Sequence, residues 1–203
     1  SIGSSAFASC FHLASITIPC NVASIGYSAF KGCTGLVYMI SERVTPPSLG
    51  TDCFLNVSTD IPVFVPKGTV AAYKAASGWN QFSKIVSVKT SDWSTPTAND
   101  AIYVDASFTL AADVTVIDVH FASTDYTLTI PNGKTLTVTG NLNATVASQI
   151  VVEDGGQLIH SGSVRATVQK SILGHFGNNN SGWNFIATPI AAGTTPSINN
   201  ELM

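Results

Sequence analysis

Four histidines, His12, His120, His160 and His175, and four cysteines, Cys10, Cys20, Cys33 and Cys53, are the side chains best suited to hold a metal or attack a substrate. Their spacing suits neither task. A zinc centre draws on close pairs such as Cys-x-x-Cys with a histidine, and here each histidine stands singly with no partner at ligand spacing. Glu153-Asp154-Gly155-Gly156 gathers acids beside glycines. It has neither the nonapeptide of calcium-binding rolls nor EF-hand spacing, so it reads as a turn. The chain contains no Gly-x-Ser-x-Gly elbow, no phosphate-cradling glycine-rich loop and no His-Glu-x-x-His. Paired carboxylates for glycoside cleavage are a property of the fold rather than of spacing, and 12 acidic residues leave few to pair. The sequence therefore predicts no catalytic residue, no cofactor, no metal and no enzyme activity.

What the spacing does show is repetition. Ile2-Gly3, Ala6-Phe7, Cys10, Leu13 and Ile16 return as Ile25-Gly26, Ala29-Phe30, Cys33, Leu36 and Met39, each 23 positions later. A period in that range marks a solenoid, whose coils bury their apolar edges only by stacking on one another. Phe7 is expected over Phe30, and Cys10 over Cys33, in a shared dry interior. A third, looser copy runs through Gly50, Cys53, Phe54 and Val63-Phe64-Val65-Pro66. Terminal repeats are atypical because one face must meet water. Residues 67–76, rich in Ala and Lys, predict a short helix stopped by Ser77-Gly78, with Trp79, Phe82 and Ile85 tucked under the end of the stack.

The pattern Ile-Gly-x-x-Ala-Phe-x-x-Cys-x-x-Leu-x-x-Ile-x-Ile-Pro resembles the BspA-like class of leucine-rich repeat. Val44-Thr45-Pro46-Pro47, then Val65 to Lys74 and Gly78-Trp79, is similar to the closing cap of such arrays. The resemblance covers residues 1–88. It implies a secreted or surface-attached bacterial protein that adheres to, or binds, host or neighbouring-cell material, and it implies no catalysis.

Composition agrees with an extracellular β-rich module. Charged residues make up 10% of 203 and hydrophobic ones 45%, against about a quarter charged in an average soluble domain. A net charge of −3 without a basic cluster gives no footprint for nucleic acid. No run of about 20 apolar residues predicts a membrane span. The sequence starts inside a repeat, so the absence of a leader says little about location. Cys10 and Cys33 hold equivalent places, and two readings stay open for them: a disulfide between neighbouring coils, or small apolar fillers of the stack.

Residues 90–99 have turn-forming composition without apolar periodicity and are expected to link two parts. The first, 1–89, is the repeat domain with its cap, and the second, 100–203, is an all-β module. In the latter, Leu128-x-Ile130-Pro131-Asn132-Gly133 to Gly140 matches Ile150-x-Val152-Glu153-Asp154-Gly155 to Gly162, 22 positions later. Period-two alternation broken by these turns predicts strands buried on one face. The match resembles stacked rungs of a β-helix or β-roll in bacterial surface proteins, and a β-sandwich is the alternative. The fold class is mainly β.

Binding is read from the pleat. With Ile16, Ile18, Val63 and Val65 inward, Thr17, Ile40 and Phe64 fall in one outward ladder with Ser15 and Tyr38 alongside. Tyr38, Ile40 and Phe64 are the candidate ligand-binding residues, either as an open apolar stripe or as a stripe covered by the second module. Trp183 and Phe185 predict a core strand, and the sequons at Asn56, Asn143 and Asn179 carry little weight in a bacterial chain. The expected function is adhesion to a host or microbial surface protein or glycan, at the cell surface or outside the cell, through the solenoid face. Alternatives are a spacer within a larger surface protein and a carbohydrate-binding module of a glycan-utilisation system.

Overall fold

The structure is a computed structural model that describes residues 1–172 and 183–187; His175 and the sequon at Asn179 lie outside the described residues. The chain divides into two units, 1–103 and 104–203.

The first unit contains strands β1 (Ser15–Ile18), β2 (Ser24–Ile25), β3 (Tyr38–Ser41), β4 (Ser48–Leu49) and β5 (Pro62–Phe64), helix α1 (Val70–Ala75), strands β6 (Lys84–Val86) and β7 (Val88–Lys89), and all but the last residue of β8 (Ala101–Val104). β1, β3, β5 and β6 lie side by side in that order, all pairs parallel. Ile16 pairs with Met39, Met39 with Val63, and Val63 with Ile85, which sets one apolar residue above the next. β2 and β4 make a second small parallel pair.

Between these faces each coil runs as a turn ribbon carrying the repeated phenylalanine. The Phe7 and Phe30 rings stack at 5.2 Å and 2°, and Phe30 and Phe54 at 5.5 Å and 10°. Burying such a side chain contributes about 1.5–3 kcal/mol, and ring pairing adds roughly 0.5–1.5 kcal/mol. The repeated glycine has a steric cause. A Cβ on Gly26 would sit 2.6 Å from Ser4 N, and one on Gly50 would sit 2.6 Å from the Gly26 carbonyl carbon. Only glycine lets successive coils approach this closely.

The cap forms as the composition implies. Val70, Tyr73 and Trp79 are fully buried, with the Trp79 indole tilted against Phe54 and edge-on to Tyr73. Its Nε1 donates to the Pro47 carbonyl at 2.8 Å. The Tyr73 hydroxyl reaches the Arg43 carbonyl and Ser41 Oγ, both at 2.7 Å, so both buried polar handles are satisfied.

One expectation needs correction. Cys33 is buried, and its thiol donates to the Phe7 carbonyl at 3.0 Å, but Cys10 is exposed. A filler role requires a coil on each side, and no described coil lies against the outer side of the coil that holds Cys10.

The second unit is a stack of rungs. Its strands are β9 (Phe108–Thr109), β10 (Val114–Val116), β11 (Asp118–Phe121), β12 (Leu128–Ile130), β13 (Thr135–Val138), β14 (Leu142–Asn143), β15 (Ile150–Val152), β16 (Gln157–His160), β17 (Thr167–Ile172) and β18 (Trp183–Ala187). Parallel pairing runs β9–β12–β15–β17 on one face, β10–β13–β16 on a second and β11–β14 on a third. Leu128 pairs with Ile150 and Leu136 with Leu158, the register the 22-residue repeat predicts. Parallel strands need a crossover, which sets the β-sandwich alternative aside. Pro131-Asn132-Gly133 and Glu153 to Gly156 are therefore corners between faces, not hairpin turns; Gly133 and Gly155 supply the left-handed φ of 70° and 81° there. β18, the strand expected around Trp183, closes antiparallel on β17.

Candidate functional site

The outward ladder of the first unit is built by strand register. Thr17 pairs with Ile40, and Ile40 with Phe64, while Ser15 pairs with Tyr38 in the adjacent row. Tyr38, Ile40 and Phe64 thus share one face of the sheet, because alternate residues of a strand point to the same side. Tyr38 keeps 38% of its surface exposed, and Ile40 and Phe64 are half-buried. The fourth member of the ladder is Val86, opposite Phe64, and it is fully buried.

Two residues that the sequence reading missed complete the group. β7 pairs with β8 so that Lys89 lies opposite Tyr103. The Tyr103 ring meets Phe64 edge-on at 5.5 Å and 82°. The Tyr38 ring meets the same phenyl at 6.2 Å and 70°, and the Lys89 ammonium lies 4.2 Å from its centroid. An ammonium over a ring gains about 0.5–1 kcal/mol at an exposed site. Phe64 is the hub: flanked by two phenols and a lysine, it holds a partly exposed tyrosine edge, a hydroxyl-bearing rim and one positive charge in place. Such a group suits contact with a polar partner that offers some apolar surface. No repeat signature marks β7 or β8, so only the alternation around Lys89 and Tyr103 could have pointed to them.

Among the described residues the groups suited to chemistry do not gather into an accessible site. All four cysteines are free, with Cys10 and Cys20 exposed and Cys33 and Cys53 buried. Burial pushes the Cys53 thiol up to about 11 and raises Cys33 as well, which opposes thiolate chemistry. Among the described residues no group of three or more His, Cys, Asp or Glu side chains could hold a metal ion. His12 is exposed. His120, Asp118 and Asn143 cluster inside the second unit, with His120 Nδ1 2.9 Å from Asn143 Nδ2 and Nε2 3.7 Å from Asp118 Oδ2. Asp118 and His120 are both fully buried, which closes them to a substrate.

Asp100 is an acid whose surroundings clearly perturb it. It is fully buried, and desolvation works to raise its pKa. Donors from Gly68 N (2.5 Å), Ser87 Oγ (2.7 Å), Thr97 N and Thr97 Oγ1 (both 2.8 Å) outweigh that and hold the carboxyl below its usual range. The acid ties the loop before α1 to the segment after β7. Its role is structural.

Comparison with known proteins places the repeat unit. Residues 1–90 match the family model of the BspA type Leucine rich repeat region (6 copies). No curated protein and no solved structure matches the chain. Repeats of this type occur in bacterial surface proteins, their typical role is surface adhesion and binding, and the family is generally non-catalytic. Among the described residues no helix is long and apolar enough to cross a membrane.

Proposed function

Because residues 1–90 match the family model of the BspA type Leucine rich repeat region, we propose that the protein is a non-catalytic adhesin that binds a host or microbial surface protein or glycan through the sheet face of its repeats. The observation that carries this reading is the aromatic group on that face. Tyr38 and Tyr103 lean on Phe64 at 6.2 and 5.5 Å with Lys89 above it, and each ring belongs to a strand whose position the stack fixes. Rigid aromatic side chains with a polar tip give contact area at little entropic cost, and they dominate the energetics of many interfaces. Ile40 extends the apolar strip beside them. The proposed setting is the cell surface or the extracellular space.

The test is an array of purified host-matrix proteins, bacterial surface proteins and glycans probed with labelled protein. Saturable binding is expected, and the double variant Tyr38→Ala, Phe64→Ala should weaken it by about tenfold or more. Unchanged affinity in a folded double variant would remove the sheet face from the account.

A further inference from the structure

A second surface of the repeat unit carries backbone donors that the stack leaves open. In the first coil the N–H groups of Ser5, Phe7 and Ser9 donate along the stack to the carbonyls of Tyr27, Ala29 and Lys31, at 2.8, 2.8 and 2.7 Å. In the second coil Ser28, Phe30 and Gly32 donate to Thr51, Cys53 and Leu55, at 3.0, 2.9 and 2.8 Å. The residues between them bond inside their own coil, as Ala29 N does to the Gly26 carbonyl and Lys31 N to the Ser28 carbonyl. Every second N–H therefore points along the stack.

The third coil repeats this ribbon. Asp52 and Asn56 have φ of 58° and 64°, matching Ser5 at 56° and Ser9 at 59° in the first coil and Ser28 at 52° and Gly32 at 74° in the second. The N–H groups equivalent to those of Ser28, Phe30 and Gly32 are those of Asp52, Phe54 and Asn56. Among the described residues none of these three has an acceptor. A cleft of about 400 Å³ opens on the ribbon, walled by residues 49–55 on one side and by Ser77, Gly78 and Gln81 on the other.

We propose that this cleft, together with the ribbon that continues past its lining from Leu55 to Asn56, docks a peptide segment of a partner protein, whose alternate carbonyls accept from Asp52, Phe54 and Asn56 N–H and which carries a basic side chain toward Asp52. The occupant follows from continuity: twice in this unit the same donor row is met by carbonyls two residues apart, and an unmet row of that spacing fits the same kind of chain. Charge excludes the other ligand that bare N–H groups attract. Such concavities bind anions, but the lining contains one charged residue, the acid Asp52, which repels an anion and leaves a neutral peptide carbonyl unaffected. The cleft is separate from the aromatic face, and the inference stands or falls independently of it.

The test is an NMR titration of the whole 15N-labelled chain with an acetylated, amidated peptide of the sequence of residues 26–32, Gly-Tyr-Ser-Ala-Phe-Lys-Gly. Saturable shifts are expected at the amides of Asp52, Phe54 and Asn56, with hydrogen exchange at those amides slowed at saturation. Ser77→Trp, a substitution of an exposed wall residue, should weaken the peptide by about tenfold without changing the melting temperature. The proposal is overturned if those amides do not shift up to the solubility limit of the peptide, if Ser77→Trp binds as the parent does, or if acetate shifts the same amides at equal or lower concentration.

Discussion

Asp100 shows how single residues set the limits of this fold. A buried carboxylate is costly unless its oxygens are satisfied, and here four donors at 2.5–2.8 Å meet them. Because the folded pKa lies below the unfolded one, the carboxylate contributes stability above the unfolded value of ~3.9. That contribution disappears as pH falls through the folded value. Asp100→Ala is therefore expected to lower stability at pH 7 by about 1–3 kcal/mol, and the difference from the parent should shrink progressively below about pH 4. Urea melts at pH 7 and pH 3 would check this. A difference that grows on acidification contradicts the assignment. The cysteines teach a different lesson at the same scale. Cys10 and Cys33 occupy equivalent places in the sequence, yet one is exposed and the other buried, because burial in a stack depends on what lies on both sides.

At the scale of elements the phenylalanine column does the packing. Phe30 lies between Phe7 and Phe54 and has no exposed surface, whereas Phe7 is half-buried and, among the described residues, has a ring neighbour on one side only. Removing a fully enclosed aromatic leaves a cavity and costs roughly 3–5 kcal/mol. Phe30→Ala should fall in that range and Phe7→Ala well below it, as measured by denaturant midpoints with unchanged m-values. Equal losses would mean the coils do not stack in this order. The column and the rungs were legible in the sequence because identical residue types recur at nearly fixed spacing, which is all that parallel register requires. Where spacing slips, legibility declines: Phe54 follows Phe30 by 24 residues rather than 23, which blurs the third copy. Lys89 and Tyr103 were legible only as alternating positions, with nothing to tie them to Phe64. They reach Phe64 through strands that carry no repeat signature, and only their pairing opposite each other brings them there. Val86 shares the outward ladder with Phe64 and is nonetheless buried, so alternation gives the side of a strand and not its access to solvent.

For the whole molecule, one architectural rule recurs in two sequence-unrelated units. In each, a chain with few charges gains stability by laying near-identical coils in parallel, so that local repetition substitutes for a single large core. That rule gives the aromatic face its fixed geometry, and it underlies the binding reading. It is tested most directly by side-chain NOEs in the intact protein, across positions 22–24 residues apart. Contacts are expected between the rings of Phe7 and Phe30 and of Phe30 and Phe54, and between the methyls of Leu128 and Ile150 and of Leu136 and Leu158. Contacts pairing consecutive strands in antiparallel fashion, such as β12 directly against β13, in place of these would contradict it.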